Sequence, residues 1–230
     1  MKDKLKHMKK SVIIVAGGSG SRMGSEQPKQ FLKWCGKPIL MHTIERFVSY
    51  DRHMRIVLVL PANQVGVWER LCEQYDFTIP LEVALGGNTR FDSVKSGLEV
   101  LTEECLVGVH DGVRPLVSLE TLENCYVTAA KCGCAIPVTD SFESIREMNE
   151  SGSRSVNRAQ YKMVQTPQVF VMSVLKEAYE LPFQDSFTDD ASVYESAGNE
   201  VILTAGNREN IKMTTPVDLL VGEALKKNGL

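Results

Sequence analysis

The chain predicts an α/β fold in which a mainly parallel sheet is covered by helices on both faces. Short runs rich in Val, Ile and Leu alternate with segments whose apolar residues recur at helical spacing. The connections between them are short, so successive units read as repeated strand–helix pairs. With 230 residues, 43% of them hydrophobic, the chain is long enough for one large domain with a sizeable core.

Ser11 to Ala16 (SVIIVA) reads as a buried strand. Leu40 to Val48 places Leu40, Ile44, Phe47 and Val48 on one helical face. Arg55 to Leu60 (RIVLVL) is a second strand, followed by a helix over Asn63 to Tyr75 and a short strand over Leu81 to Leu85. Thr89 to Leu101 is a helix with Phe91, Val94, Leu98 and Leu101 on one face, and Thr89 and Asp92 have the spacing of a capping box. Strands over Leu106 to His110 and Cys134 to Val138 flank a helix over Ser118 to Lys131. Later come helices at Val171 to Glu180 and Asp189 to Ala197, and a strand at Glu200 to Thr204. The last helix starts at Thr215, with Pro216 at its first position and Asp218 at its third.

One stretch breaks the alternation. Residues 139–165 are polar, with Asn149-Glu-Ser-Gly-Ser153 in the middle. Phe142 to Glu147 and Ser155 to Val164 read as two extended arms around that turn. A hairpin with so little apolar content is marginal alone, so it is expected to lie against another surface such as a second subunit. No internal repeat or low-complexity linker divides the chain. Residues 1–230 are expected to form one domain that carries the 139–165 arm.

Bulk charge excludes several functions. Lys plus Arg is 26 and Asp plus Glu is 29, a net charge of -3, which argues against nucleic acid or an anionic membrane as the main partner. No apolar run approaches the roughly 20 residues of a membrane-spanning helix. The Lys-rich start is followed by only a five-residue apolar run, Val12 to Ala16, too short for a signal peptide, and Met1 to Lys9 reads as a solvated tail. The six cysteines are scattered, and Cys132-Gly-Cys134 has no second pair to complete a zinc site. The four histidines show no metal spacing either. The expectation is a cytoplasmic protein with reduced thiols.

The first strand runs into Gly17-Gly-Ser-Gly-Ser-Arg22-Met-Gly24. Ligands of open α/β sheets bind at the carboxyl ends of strands, and glycines there let backbone N–H groups approach an anion. A P-loop needs Lys-Ser/Thr directly after its last Gly, and none is present. A dinucleotide fingerprint needs Gly at position 23, which is Met23, and the second strand ends in Leu60-Pro61 without an acid for a ribose. This also disfavours a dinucleotide-dependent dehydrogenase. What remains is a glycine loop with two cations close by, Arg22 and the Lys29 of Pro28-Lys29-Gln30, an arrangement suited to a triphosphate.

The pattern Ala16-Gly-Gly-x-Gly-x-Arg22-Met followed by Pro28-Lys29-Gln30-Phe resembles the start of nucleotidyltransferases with a glycosyltransferase-A-like Rossmann fold. More narrowly, the chain resembles the 2-C-methyl-D-erythritol 4-phosphate cytidylyltransferases of the non-mevalonate isoprenoid pathway, from about Ser11 to Leu225. Further blocks in order are Gly86-Gly-Asn-Thr-Arg-Phe-Asp-Ser93-Val, His110-Asp-Gly-Val-Arg114-Pro, Val156-Asn-Arg158, Gln165-Thr166-Pro-Gln, Thr188-Asp-Asp-Ala-Ser and Asn210-Ile-Lys212-Met-Thr.

The resemblance implies a three-layer sandwich with a protruding β-hairpin arm, and transfer of CMP from CTP to a small polyol phosphate with release of pyrophosphate. It implies that Arg22, Lys29 and Lys212 surround the CTP phosphates. Ala16, Gly17, Gly18, Ser19, Gly20, Gly87 and Ser93 would hold cytosine and ribose, with Asn88 standing where the family usually has an acid. Asp111 would border both nucleotide and substrate. Arg114, Thr188 and Asp189 would line the substrate side. Arg158, Ser141 and Thr166 would take the substrate phosphate, Arg158 reaching across a homodimer formed by the arm. Mg2+ is implied as a cofactor, held mainly through CTP phosphates. His110-Asp-Gly-Val-Arg114 departs from the family pattern, whose two middle residues are usually both alanine. A ribitol-5-phosphate or other polyol-phosphate cytidylyltransferase is therefore the alternative, and a non-catalytic nucleotide-binding protein a more distant one.

Overall fold

The computed structural model describes residues 8–18 and 27–228. Its elements in chain order begin with β1 (Lys9–Val15), the short pair β2 (Lys33–Trp34) and β3 (Lys37–Pro38), α1 (Ile39–Tyr50), β4 (Arg55–Leu60) and α2 (Ala62–Gln74). They continue with β5 (Glu82–Leu85), α3 (Arg90–Val100), β6 (Cys105–Asp111), α4 (Leu119–Cys132) and β7 (Cys134–Asp140). The last are β8 (Arg146–Asn149), β9 (Gly152–Ser155), β10 (Lys162–Val164), β11 (Gln168–Val171), α5 (Met172–Ala178), α6 (Asp190–Ser196), β12 (Leu203–Ala205) and α7 (Pro216–Lys227).

Among the described residues, eight strands form one sheet. β6, β1, β4 and β5 run parallel in that order. β11 lies antiparallel beside β6, and β7 lies antiparallel beside β11, so β7 runs with the others. β12 adds parallel to β7, while β10 pairs antiparallel with it. The α/β expectation holds, with β10 and β11 as the strands that run against the rest.

Alternation along the strands builds the three layers. Val12, Ile14 and Leu58 point to one face and pack with Leu40, Ile44 and Phe47 of α1, Trp68 of α2 and Tyr126 of α4. Ile13, Val57 and Val59 point to the other and pack with Phe91, Val94 and Leu98 of α3, Leu175 of α5 and Tyr194 of α6. A third cluster joins Trp34, Ile39, Val113, Leu116 and Met213. Both caps read from the sequence are present. Thr89 accepts from the Asp92 amide at 3.0 Å while Asp92 accepts from the Thr89 amide at 3.0 Å, and Thr215 caps α7 in the same reciprocal way with Asp218.

Four details differ from the sequence reading. The helix expected from Val171 begins at Met172, because Gln168–Val171 form β11 in the middle of the sheet. That strand is only four residues long and directly follows Pro167, so no periodicity marks it. The strand expected at Glu200 to Thr204 is β12, Leu203–Ala205. The expected arm is narrower than 139–165: Thr139, Asp140 and Met163 pair in the main sheet through β7 and β10, and the self-paired hairpin is β8 with β9. Lys9 belongs to β1, where it pairs with Glu103, and residues 1–7 of the expected tail lie outside the described residues.

Candidate active site

β1, β4, β5 and β6 all end on one edge of the sheet, and a cleft of about 260 Å³ opens there. Ala16, Gly17 and Gly18 follow β1, Pro61 follows β4, Gly86, Gly87 and Asn88 follow β5, and Asp111 ends β6. Lys29, Ser93 and Lys212 complete the walls. The fold thus gathers Ala16, Gly17, Gly18, Lys29, Gly87, Asn88, Ser93, Asp111 and Lys212 at one place, from segments nearly 200 residues apart. Ser19, Gly20 and Arg22 lie outside the described residues.

Lys29 lies against the start of the loop that follows β1. A Cβ built on Gly18 would sit 2.9 Å from Cε and 3.0 Å from Nζ of Lys29, so this lysine lies across the bare glycine. The neighbouring Gln30 is fully buried and donates to the Ala16 carbonyl and to Gln64 Oε1, both at 2.6 Å, which fixes where β1 ends. Across the cleft, Ser93 donates to the Thr89 carbonyl at 2.9 Å and accepts from the Gly87 amide at 3.2 Å. Its hydroxyl folds the Gly86–Thr89 turn onto the start of α3.

Asp111 is the only carboxylate that lines the cleft among the described residues, and it is held by two cations. Arg114 Nε donates to it at 2.9 Å and Lys212 Nζ at 3.2 Å. Burial alone pushes its carboxyl up, but Lys212, Arg114 and Arg90 outweigh that and hold it well below the usual carboxylate range. Arg114 is anchored in turn by donating to the Asn210 carbonyl at 2.7 Å. Lys212 is placed by its neighbour: the Met213 amide donates to the Val113 carbonyl at 2.9 Å, and Met213 is fully buried against Trp34. Gly222 of α7 allows this close approach, since a Cβ there would meet Met213 Cε at 2.4 Å.

The other expected substrate residues sit apart from the cleft lining. Thr166 is buried, and its hydroxyl accepts from the Asp111 amide at 3.2 Å. Asp189 caps α6 by accepting from Ser192, and Gln168 Nε2 donates to its other oxygen at 2.7 Å. Thr188 beside it is exposed. Ser141 donates to the Glu143 carbonyl at 3.2 Å. Arg158 is exposed in the turn between β9 and β10 and donates to the Phe142 carbonyl of its own arm.

Arg90 also lines the cleft, and sequence reasoning gave it no role. It pairs bidentately with Asp190 at 2.9 and 2.5 Å, and Tyr179 donates to the same carboxylate at 2.7 Å. Asp190 is completely buried, so the pair bolts the start of α3 to the start of α6. The signal was available. An arginine in the first turn of a helix opposes the helix dipole and asks for a nearby acid.

A family model described as 2-C-methyl-D-erythritol 4-phosphate cytidylyltransferase matches residues 10–228. A protein of that description from Bacteroides thetaiotaomicron is 55% identical over 218 residues, which is 95% of this chain and all of the relative. One from Bacillus licheniformis is 37% identical over 223 residues, 95% of this chain and 96% of the relative. Among solved structures, a 4-diphosphocytidyl-2C-methyl-D-erythritol synthase from Anaerococcus prevotii superposes with a TM-score of 0.82 at 26% identity, over 98% of this chain and 99% of the other. A 2-C-methyl-D-erythritol 4-phosphate cytidylyltransferase from Thermus thermophilus gives 0.77 at 29% identity, over 96% and 100%.

Proposed function

The chain belongs to the 2-C-methyl-D-erythritol 4-phosphate cytidylyltransferase family, and from that membership we infer that it transfers CMP from CTP to 2-C-methyl-D-erythritol 4-phosphate. A phosphate oxygen of the substrate attacks the α-phosphorus of CTP in line. The bond from that phosphorus to the bridging oxygen breaks, pyrophosphate leaves, and 4-diphosphocytidyl-2-C-methyl-D-erythritol is formed. The attacking phosphate is already largely deprotonated near neutral pH, so no side chain has to remove a proton. Catalysis then reduces to holding the reactants in line and stabilising the charge that builds up on the phosphoryl oxygens.

The observation that carries this reading is the convergence of Lys29 and Lys212 on one cleft whose floor is the bare backbone of Gly17 and Gly18. Glycine N–H groups and Lys29 suit the triphosphate, with Arg22 as a further cation from the same loop. Gly87, Asn88 and Ser93 form the wall suited to the nucleoside. Asp111 with Arg114 suits the polyol side, whereas Thr188 and Asp189, outside the cleft lining, are proposed for that side on the family resemblance alone.

A divalent cation, Mg2+, fits this residue set as an ion carried by the nucleotide. No group of three or more His, Cys, Asp or Glu side chains among the described residues is arranged to hold a metal, while Asp111 lines the cleft as a lone carboxylate. One carboxylate plus substrate phosphates is a usual Mg2+ environment. When bound, the ion neutralises phosphate charge. Asp111 would hold it, and Lys29 and Lys212 position the same oxygens.

The functional unit is a homodimer joined through the arm. Phe142, Met148, Tyr161 and Met163 are exposed apolar residues on or beside it, 56%, 75%, 42% and 54% accessible, and Arg158 does not line its own chain's cleft. An arm that clasps a second copy covers these residues and delivers Arg158 to that copy's substrate phosphate. The compartment proposed is the cytoplasm, which would keep the six scattered cysteines reduced.

The test is product identity. Purified protein with CTP and Mg2+ should convert methylerythritol phosphate into its cytidine diphosphate adduct and release one pyrophosphate per adduct. Pyrophosphate released without the adduct, or an adduct formed equally well from other nucleoside triphosphates, contradicts the reading.

A further inference from the structure

His110 is fully buried at the end of β6, beside the Asp111 that the transfer reaction uses, and neither the reaction nor the family motifs give it a task. Its ring packs edge-on against Phe47, with centroids 4.9 Å apart. Both ring nitrogens are engaged: Nε2 lies 3.1 Å from the Arg114 carbonyl oxygen and Nδ1 lies 3.1 Å from Thr166 Oγ1.

The donor count fixes the direction of each bond. The Arg114 carbonyl oxygen can only accept, so Nε2 carries a proton. Burial pushes the imidazole down to about 4, so the ring is neutral near pH 7 and Nδ1 is an acceptor. Thr166 must therefore donate its one hydroxyl proton to Nδ1. Its oxygen meanwhile accepts the Asp111 amide at 3.2 Å. The chain runs from the Asp111 N–H to Thr166, from Thr166 to His110, and from His110 to the Arg114 carbonyl. The Arg114 amide closes the turn by donating to the Asp111 carbonyl at 3.1 Å.

We propose that His110 is a positioning residue for the transfer reaction: through the Thr166 hydroxyl and the Arg114 carbonyl it locks the turn from Asp111 to Arg114. That turn presents the Asp111 carboxylate to Lys212 and the Arg114 guanidinium. Thr166 belongs to the same lock, and its hydroxyl proton is spent on His110 rather than on a substrate phosphate. The inference rests on the cytidylyltransferase reading for its kinetic readout, but not for its spectroscopic one.

The spectroscopic experiment uses the intact wild-type protein labelled with 15N-histidine. A long-range 1H–15N correlation spectrum near pH 7 should show His110 as the neutral Nε2–H tautomer. An Nδ1–H tautomer or an imidazolium overturns the proposal, whatever the substrate proves to be. The kinetic experiment compares Thr166→Val, Thr166→Ser and His110→Phe, the last keeping an aromatic ring against Phe47. Thr166→Val and His110→Phe should each lower kcat by about tenfold and change KM for the polyol phosphate by less than about twofold. The double variant should be no worse than either single, and Thr166→Ser should retain most of the rate. A Thr166→Val variant that raises KM for the polyol phosphate, additively with His110→Phe, makes Thr166 a phosphate ligand and defeats the proposal. If no polyol phosphate reacts at all, the functional reading fails while the tautomer result stands by itself.

Discussion

Lys212 and Asp111 are 101 residues apart in sequence and their charged groups meet at 3.2 Å across the mouth of the cleft. Lys212 follows the loop after β12, and Asp111 ends β6. The contact exists because Met213 is buried under α7, so the chain cannot pass this point without turning Lys212 toward the site.

Lys29 and Lys212 are the charge-stabilising pair of this account. Lys29→Ala and Lys212→Ala should each lower kcat by roughly a hundredfold or more, the usual cost of losing a donor that acts on the transition state. Steady-state kinetics with saturating CTP measures it, and thermal melts should show that both variants stay folded. A near-normal kcat removes that lysine from the mechanism.

Asp111 should leave a pH signature in stability. Its folded carboxyl is depressed below the ordinary value of 3.8, so its stabilising contribution is complete well above that pH and is lost as pH falls through and below it. Asp111→Asn should therefore melt below wild type near pH 7, with Lys212 and Arg114 left without their counter-charge. The difference should shrink progressively on acidification below about pH 4. A difference that grows toward acid pH contradicts the sign.

The Arg90–Asp190 pair is structural before it is anything else. Asp190 is completely buried and accepts from both Arg90 and Tyr179, so Asp190→Ala leaves the Arg90 guanidinium at the cleft wall and the buried Tyr179 hydroxyl without their acceptor. The expected loss is about 3–5 kcal/mol of folding stability, measurable by urea denaturation. A loss below about 1 kcal/mol shows that the start of α3 does not depend on this anchor.

Mixed dimers test the arm. Lys29→Ala and Arg158→Ala should each be nearly inactive alone. After subunit exchange, a heterodimer carries both defects in one site and leaves the other site intact, so activity should recover to a fraction of wild type. Exchange without recovery, or a monomer at assay concentration, means that Arg158 does not act in trans.

Much of this architecture was readable from residue order. The alternating runs gave β1, β4 and β6 with α1, α3 and α4 because their burial is one-sided or complete, and periodicity records burial. The capping pairs Thr89–Asp92 and Thr215–Asp218 marked helix starts to within a residue. β11 was hidden because it is short and preceded by Pro167, and the β2–β3 pair because two-residue strands carry no period. At the site, the glycine loop, Lys29 and Lys212 stood out through motifs. Gln30, Arg90 and His110 lay inside those motifs but received no role, since each works through a partner distant in sequence: Ala16, Asp190 and Thr166 respectively.

The choice of acceptor separates this reaction from that of a ribitol-phosphate cytidylyltransferase. Pyrophosphate release from CTP and Mg2+ should be measured side by side with methylerythritol phosphate and with ribitol 5-phosphate, at equal subsaturating concentrations. Methylerythritol phosphate should give a much higher kcat/KM. Equal rates, or a preference for ribitol 5-phosphate, contradict that assignment.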